Sequence, residues 1–461
     1  MNVYGIDVNV KNIPILDNGY IPMAAYTRAF EQSAKDGRDL VIAVERNQGQ
    51  VAVRRCKVHG TPAMAKADAV YVDRTVKMLL WAYGGWKVFI CGDEALGRQI
   101  ADAYKPGGSR EFDADFMSRV YERDFEVAVL PLDAAPEEHS VTSPVGRHLD
   151  GCRIGFDAGG SDRKVSAVVD GVPVYSEEVV WFPKTNSDPD YHYEGIVSAF
   201  KSAASKMPRV DAIGISSAGV YVDNRAMVAS LFIKVPRDEF DKKVKDIYLR
   251  AAKEIGDVPV QVANDGDVTA LAGAMSLEEN RILGIAMGTS EAVGYVDAAG
   301  NITGWLNELA FAPVDLQDDA MVDEWSGDKG CGVKYFSQDS VIKLAPRAGI
   351  ALDESLSPAE KLKVVQGEMN NGNEKAKDIY RSIGVYLGHA LAYYAAYYDI
   401  GHVLLLGRVM SGEGGDIIIA EANRVLKDEY PDAAGMELHL PDEKIRRVGQ
   451  SVAAASLPEI G

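Results

Sequence analysis

Apolar and polar residues alternate with a period of two along Val165-Ser-Ala-Val-Val-Asp170 and again from Val172 to Val180, with Gly171 between them. Asp-Gly between two alternating runs predicts a hairpin, because a two-residue turn of that kind wants positive φ at both positions. Just upstream, the apolar Ile154-Gly-Phe-Asp157 reads as a strand that enters a tight turn at Gly159-Gly160. Further short strands are predicted at Leu40–Val44, Val51–Val58, Lys87–Cys91, Asp124–Leu130, Val210–Ile215, Val258–Ala263, Arg281–Met287, Glu291–Asp297 and His402–Leu406. Helical spacing is read at Asp68–Tyr83, Glu94–Tyr104, Tyr193–Met207, Val268–Met275 and Lys377–Tyr398. In the last of these, Ile379, Ile383, Leu387 and Leu391 share a face, and Gly384 and Gly388 leave room for a second helix. Strands interspersed with helices place the chain in the α/β class.

The pattern breaks at Pro131-Leu-Asp-Ala-Ala-Pro136 and Ser143-Pro144, which are rich in proline, acid and small residues and mark a domain boundary. Residues 1–150 are therefore expected to form an accessory α/β domain, and residues 151–461 a second body. Gly92 and Gly97 stand between a strand and a helix, but they lack both the dinucleotide spacing and a P-loop ending, so they read as a plain corner.

Composition changes this picture mainly by exclusion. The chain has 461 residues, 47% of them apolar, enough for about three domain-sized units. A net charge of −19 and the absence of a basic run argue against nucleic acid as a partner. Cys56, Cys91, Cys152 and Cys331 are far apart and form no C-x-x-C pair, which points away from a disulfide framework and toward a cytoplasmic location. The first residues lack a basic, apolar leader, and no run has the roughly 18 apolar residues of a membrane span.

The candidate chemistry sits at strand ends. Gly159-Gly160 can offer bare backbone N–H groups to an anion, with the Ser161 hydroxyl and the Lys164 ammonium beside them; a simple bend is the alternative. Asn264-Asp265 follows the Val258–Ala263 strand, and the carboxyl ends of strands in open α/β sheets are where ligands collect. The competing role for Asp265 is to cap the helix that follows. Gly288-Thr289-Ser290 lies between two strands and repeats the glycine-hydroxyl character of the first turn.

The Asp157-x-Gly-Gly-Ser-x-x-Lys164 pattern on a strand-hairpin resembles the first phosphate motif of the sugar kinase/Hsp70/actin superfamily, and more narrowly of the ROK family of bacterial sugar kinases and regulators. Three further motifs follow in the family's order, so the resemblance covers about residues 151–461. It implies a two-lobed, actin-like and ribonuclease H-like kinase fold. Lobe one would hold about 151–265 plus a C-terminal helix at 446–461, and lobe two about 266–445, with the N-terminal α/β domain in addition.

The same resemblance implies ATP-dependent phosphorylation of a sugar or sugar-like polyol. Asp265 is then the general base, with Asn264, Glu308 and Gly219 contacting the sugar, although Ala218 replaces the usual proline before Gly219. ATP is expected at Gly159, Gly160, Ser161 and Lys164, at Gly288, Thr289 and Ser290, and at an adenosine motif with Gly407 and Gly412, in which Arg408 replaces a second glycine. Mg²⁺ is expected near Asp157, held through water, and a homodimer is expected. Three departures stand out: Phe311 takes the place of a family histidine, Cys331 alone remains of the zinc-loop thiolates, and Val333 replaces a sugar-contacting glutamate. No zinc site is expected in that loop, because structural zinc wants four N or S ligands. The DNA-binding domain of ROK repressors is not expected either, since residues 1–150 carry 18 Lys+Arg against 21 Asp+Glu and open with strands. The rival to the kinase reading is a catalytically silent sugar-binding sensor or assembly subunit. His402, in an apolar strand, reads as a core histidine.

Overall fold

The structure, a computed structural model, describes residues 1–141, 145–441 and 449–460. Contacts divide the chain into two units: Met1–Val141 with Ile285–Val293 and Trp305–Leu440, and Thr142–Gly284 with Gly294–Gly304 and Pro441–Gly461.

In the first unit the N-terminal residues form α1 (Met23–Ser33), β1 (Arg38–Glu45), β2 (Val51–Val58), α2 (Ala65–Tyr83), β3 (Lys87–Cys91), α3 (Glu94–Tyr104), α4 (Glu111–Tyr121) and β4 (Glu126–Leu130). The sheet runs β2-β1-β3-β4, with β1 antiparallel to β2 and β3, and β3 parallel to β4. The predicted hairpin and strand-helix corner are present. Asp93 caps α3 by accepting from Leu96 N at 3.1 Å, so Gly92 and Gly97 flank an ordinary helix start. Helices α1 and α4, absent from the pattern reading, follow Pro22 and Arg110, neither of which supplies a capping side chain.

Residues 1–141 share their unit with 305–440 instead of standing apart. The backbone N–H groups of Leu306, Asn307 and Glu308 donate to the carbonyls of Tyr83, Ala82 and Trp81 at the end of α2, at 3.3, 3.0 and 2.9 Å. Asp328 accepts from Arg74 and Arg110, each at 2.6 Å, with Lys77 at 3.4 Å. Burial pushes the Asp328 carboxyl up, but the three cations outweigh it and hold the group far below the usual range. Phe311, at the family's histidine position, packs its ring 4.3 Å from Trp81. An ion cluster and aromatic packing thus anchor the segment that aligns with the family's zinc loop.

The second unit begins with β5 (Cys152–Ala158), β6 (Asp162–Val169) and β7 (Val172–Val180), followed by α5 (Pro189–Ala204), β8 (Ala212–Ser217), β9 (Val220–Val222), β10 (Arg225–Val228), α6 (Ile247–Lys253), β11 (Val260–Asn264) and α7 (Asp265–Leu277). Its sheet has the order β11-β8-β5-β6-β7, with β11, β8 and β5 parallel and β6 and β7 completing an antiparallel meander. Asp170 and Gly171 take φ of 47° and 79°, the positive values the hairpin turn requires. The chain next passes between the units within β12 (Ile282–Met287) and β13 (Glu291–Val296). Residues 266–284 and 294–304, assigned to lobe two from sequence, therefore belong with the β5–β8–β11 sheet. Asp267 explains part of this, since its carboxylate accepts from Tyr295 N at 3.0 Å.

The first unit resumes with α8 (Gln338–Leu344), α9 (Pro358–Asn370), α10 (Glu374–Tyr394), β14 (His402–Leu406), α11 (Glu413–Glu429) and β15 (Glu437–His439). Its second sheet has the order β13-β12-β14-β15, with β14 parallel to β15. Gly384 and Gly388 make the expected close contact: a Cβ on either would fall within 2.8 Å of a carbonyl of α11, Ile418 O or Ala422 O. The Tyr-rich end of α10 is buried. The C-terminal helix appears as α12 (Gln450–Ala455), while residues 446–448 and 461 of the expected helix lie outside the described residues. It presses onto the sheet so closely that a Cβ on Gly155 or Gly214 would sit 1.7 Å from a carbonyl oxygen of α12, Ser451 or Ala454.

Candidate functional site

Parallel register lines up the carboxyl ends of β5, β8 and β11. Ser216 pairs with Asp157 and Ala263, and Ser217 pairs with Ala158 and Asn264, so Asp157, Asn264 and Asp265 reach the same edge of the sheet. Asn264, not Asp265, is the N-cap of α7: its Oδ1 accepts from Gly266 N at 2.7 Å, and its Nδ2 donates to Gly219 O, also at 2.7 Å. That contact ties Gly219, whose φ of +140° needs glycine, to the same group. The Asp265 carboxylate also accepts from Gly266 N, at 3.1 Å.

Two side chains absent from the sequence reading complete this edge. Gln450, on α12, donates through Nε2 to Ser216 Oγ and to the Asp265 carbonyl, each at 3.0 Å, and Ser216 Oγ in turn donates to Asp157 Oδ1 at 3.0 Å. Burial raises the Asp157 carboxyl to about 6, with the Ser216 hydrogen bond lowering it and the Asp265 charge raising it. Burial raises Asp265 as well, opposed by its bond from Gly266 N and by the charge of Lys184. Lys184 follows Trp181 and lies over the glycine turn, so a Cβ on Gly160 would be 3.0 Å from its Cε and 3.2 Å from its Nζ. No motif marks either residue. A glutamine on a C-terminal helix and a lysine beyond a hairpin join the site only through the fold.

The turn itself is held from β7's far end. Trp181 Nε1 donates to Gly159 O at 2.8 Å, and Trp181 N to Ser161 O at 3.1 Å. Ser161 Oγ donates to Asp162 Oδ2 at 2.9 Å. Lys164 is half exposed, with Asp162 and Glu178 at 3.7 and 3.9 Å. Glycine at 159 and 160 answers to space, because a Cβ on Gly159 would come within 2.7 Å of Asp162 O.

In the other unit, Gly288 N donates to Ser290 O at 3.0 Å, and Gly288 O accepts from Gln338 N at the start of α8 at 2.9 Å. Thr289 and Ser290 are exposed, and a Cβ on Gly288 would meet nothing closer than 3.8 Å. Gly407 joins this turn: its φ is +94°, and a Cβ there would strike the backbone of Met287, the residue before Gly288. Gly412, with φ of +67°, precedes α11 and has open space around it.

Glu308 is half-buried and lies beside Glu291 of β13. Glu291 is 4% exposed, and neither carboxylate oxygen has a hydrogen-bond partner among the described residues. Burial first, and Glu308 second, push its carboxyl well above the usual range, so it is held protonated. A Cβ on Gly332 would be 2.5 Å from Glu291 Oε2. A carboxyl from β13 therefore stands beside Gly332, the residue before Val333, where the family resemblance expected a glutamate.

No family model and no curated protein matches the chain. Solved structures do. A ROK hexokinase from Thermus thermophilus is similar over 66% of this chain and 97% of its own, at 19% identity and a TM-score of 0.50. A ROK transcriptional regulator, described as a homologue of the E. coli MLC protein, is similar over 67% of this chain and 79% of its own, at 16% identity and a TM-score of 0.52. The chain has the two-lobed, actin-like fold of the ROK proteins. That fold serves an enzyme in one relative and a regulator in the other, so the activity has to be argued from the side chains. No helix among the described residues is long and apolar enough to cross a membrane.

Proposed function

We propose that the protein transfers the terminal phosphoryl group of ATP to a hydroxyl of a sugar or sugar-like polyol. The observation that carries this reading is the state of Asp265: Asn264 performs the capping, leaving a buried carboxylate of raised basicity at the end of a parallel strand. A hydroxyl is a poor nucleophile at neutral pH and needs a carboxylate to accept its proton as the O–P bond forms. Asp265 takes that proton. Asn264 and Gly219 position the acceptor; in the other unit, Glu308 is assigned to substrate hydroxyls on its place in the motif order.

The groups around Asp157 fit a bound cation. Two carboxyls with raised pKa stand here, the Asp265 charge raising Asp157, and among the described residues the Asp157 carboxylate has only Ser216 as a hydrogen-bonding neighbour. Mg²⁺ held near Asp157 through water would neutralise phosphate charge there. Lys184 and Lys164 present positive charge at the Gly159-Gly160 turn, where phosphate oxygens would be received, and the Ser161 hydroxyl would exchange its bond to Asp162 for one of them. In the other unit the exposed turn at Gly288, Thr289 and Ser290, with Gly407 packed behind it and Gly412 at the start of α11, is assigned to the nucleotide.

The test is ADP release with Mg²⁺-ATP and a panel of hexoses, amino sugars and polyols. Sugar-stimulated turnover by the parent that is lost in Asp265→Asn supports the kinase. A second reading, a silent sugar-binding sensor, is supported by the likeness to a ROK regulator. Saturable binding of a sugar with no ADP release across the panel would favour it.

A further inference from the structure

Outside the groups assigned to phosphoryl transfer, one cluster combines imidazole and carboxylate. His402 opens β14, and Glu437 and His439 are the ends of the three-residue strand β15. The parallel register pairs His402 with Glu437 and Leu404 with His439. Because side chains alternate faces along a strand, residues 402 and 404 share one face, and so do 437 and 439 across the ladder. All three side chains therefore project on the same side of the sheet, where β14 meets the edge strand β15.

The distances have the scale of a metal site. His402 Nδ1 lies 3.1 Å from His439 Nε2 and 3.9 Å from Glu437 Oε2, and one ligand atom from each residue falls within a 4.8 Å group. Two imidazole nitrogens bound to one tetrahedral ion at 2.0–2.1 Å are separated by about 3.3 Å. The histidine pair is thus already at ligand spacing, and the Glu437 side chain, 69% exposed, has room to bring its oxygen in. The histidine side chain at 402 is 14% exposed, so the group is screened but reachable from solvent.

We propose that His402, Glu437 and His439 form a binding site for a divalent transition metal of the zinc class. Two imidazoles and one carboxylate suit zinc, cobalt or nickel, whereas magnesium and calcium prefer shells made of oxygen. Three protein ligands leave a fourth position for water. The ion would bond β15 to the start of β14 at a sheet edge where the ladder is only three residues long. This site is separate from the Mg²⁺ assignment near Asp157 and does not depend on the kinase reading.

The experiment uses the full chain with any affinity tag removed, stripped with chelator and titrated with Co²⁺ and then Zn²⁺. We expect one strong site per chain, an optical cobalt band of low-coordinate type that Zn²⁺ displaces, and a melting temperature raised by Zn²⁺. His402→Ala and His439→Ala should each weaken binding at least about 100-fold, with a smaller loss for Glu437→Gln. Cobalt binding that is absent from the parent chain, or unchanged in both folded histidine variants, overturns the proposal. If the variants fail to fold, zinc-edge X-ray absorption on the parent decides. Two imidazoles with light O or N neighbours support the site, and a sulfur shell near about 2.3 Å would place the ion on cysteines and overturn it.

Discussion

Each unit holds a pair of acids in which burial drives a carboxyl upward in pKa, yet the two pairs are built differently. Asp157 and Asp265 stand at strand ends with donors around them: Ser216 on one, Gly266 N on the other, and the Lys184 charge close to the second. Glu291 is sealed in, with Glu308 as the neighbouring charge and, among the described residues, no donor on either oxygen. The first arrangement tolerates an ionised carboxylate and can cycle a proton, whereas the second keeps its proton because nothing stabilises the anion. A raised pKa therefore does not by itself mark a base. The supply of donors to the charged form separates an acid that can react from one that only fills a site.

Substitutions can break or sharpen this contrast. The largest effect is expected at Asp265. Asp265→Asn should lower kcat at least about 100-fold, or about 2.7 kcal/mol, while sugar binding followed by calorimetry or fluorescence persists. A residual rate close to the parent's would mean that the carboxylate takes no proton. Next is Gln450→Ala, which removes the bridge between Ser216 and the Asp265 carbonyl. It should lower kcat by about 10-fold with little change in the KM for sugar, as expected of a positioning residue acting through Asp157 and Asp265.

Glu291 should respond in the opposite sense, through stability. Its folded-state pKa is raised, so the folded protein keeps a proton that the unfolded chain loses above about pH 4.3. The stability this group contributes is complete below that pH and is lost as the pH rises toward the folded value. Glu291→Gln should therefore melt like the parent near pH 4 and gain stability over it as the pH rises, by about 1 kcal/mol or more at neutrality. A difference that shrinks with rising pH would show that Glu291 is ionised in the folded protein. The smallest effect is expected for the exposed Lys184: Lys184→Ala should raise the KM for ATP a few-fold, more at low salt than at high.

The strands, the Asp170-Gly171 hairpin and the helix-helix approach at Gly384 and Gly388 were legible in the chain because each depends on local period or on a turn residue's own conformational range. The edge formed by Asp157, Asn264 and Asp265 was legible for a related reason. Residues at the ends of consecutive parallel strands converge whatever lies between them. The capping role of Asn264 was not, because Asn and Asp compete for the cap on nearly equal terms and backbone direction selects between them.

Local sequence thus determined the element types, the α/β class and the placement of the candidate base at a strand end. Tertiary structure alone decided that residues 1–141 pack with residues 305–440, that Gln450 and Lys184 join Asp157 and Asp265, that Glu291 brings a carboxyl beside Gly332, and that His402 meets Glu437 and His439. Each of these joins residues tens to hundreds of positions apart, with no periodicity or spacing in the chain to announce the meeting. Such contacts follow from how sheets and helices stack once formed, and burial then sets the charge state of the groups they enclose.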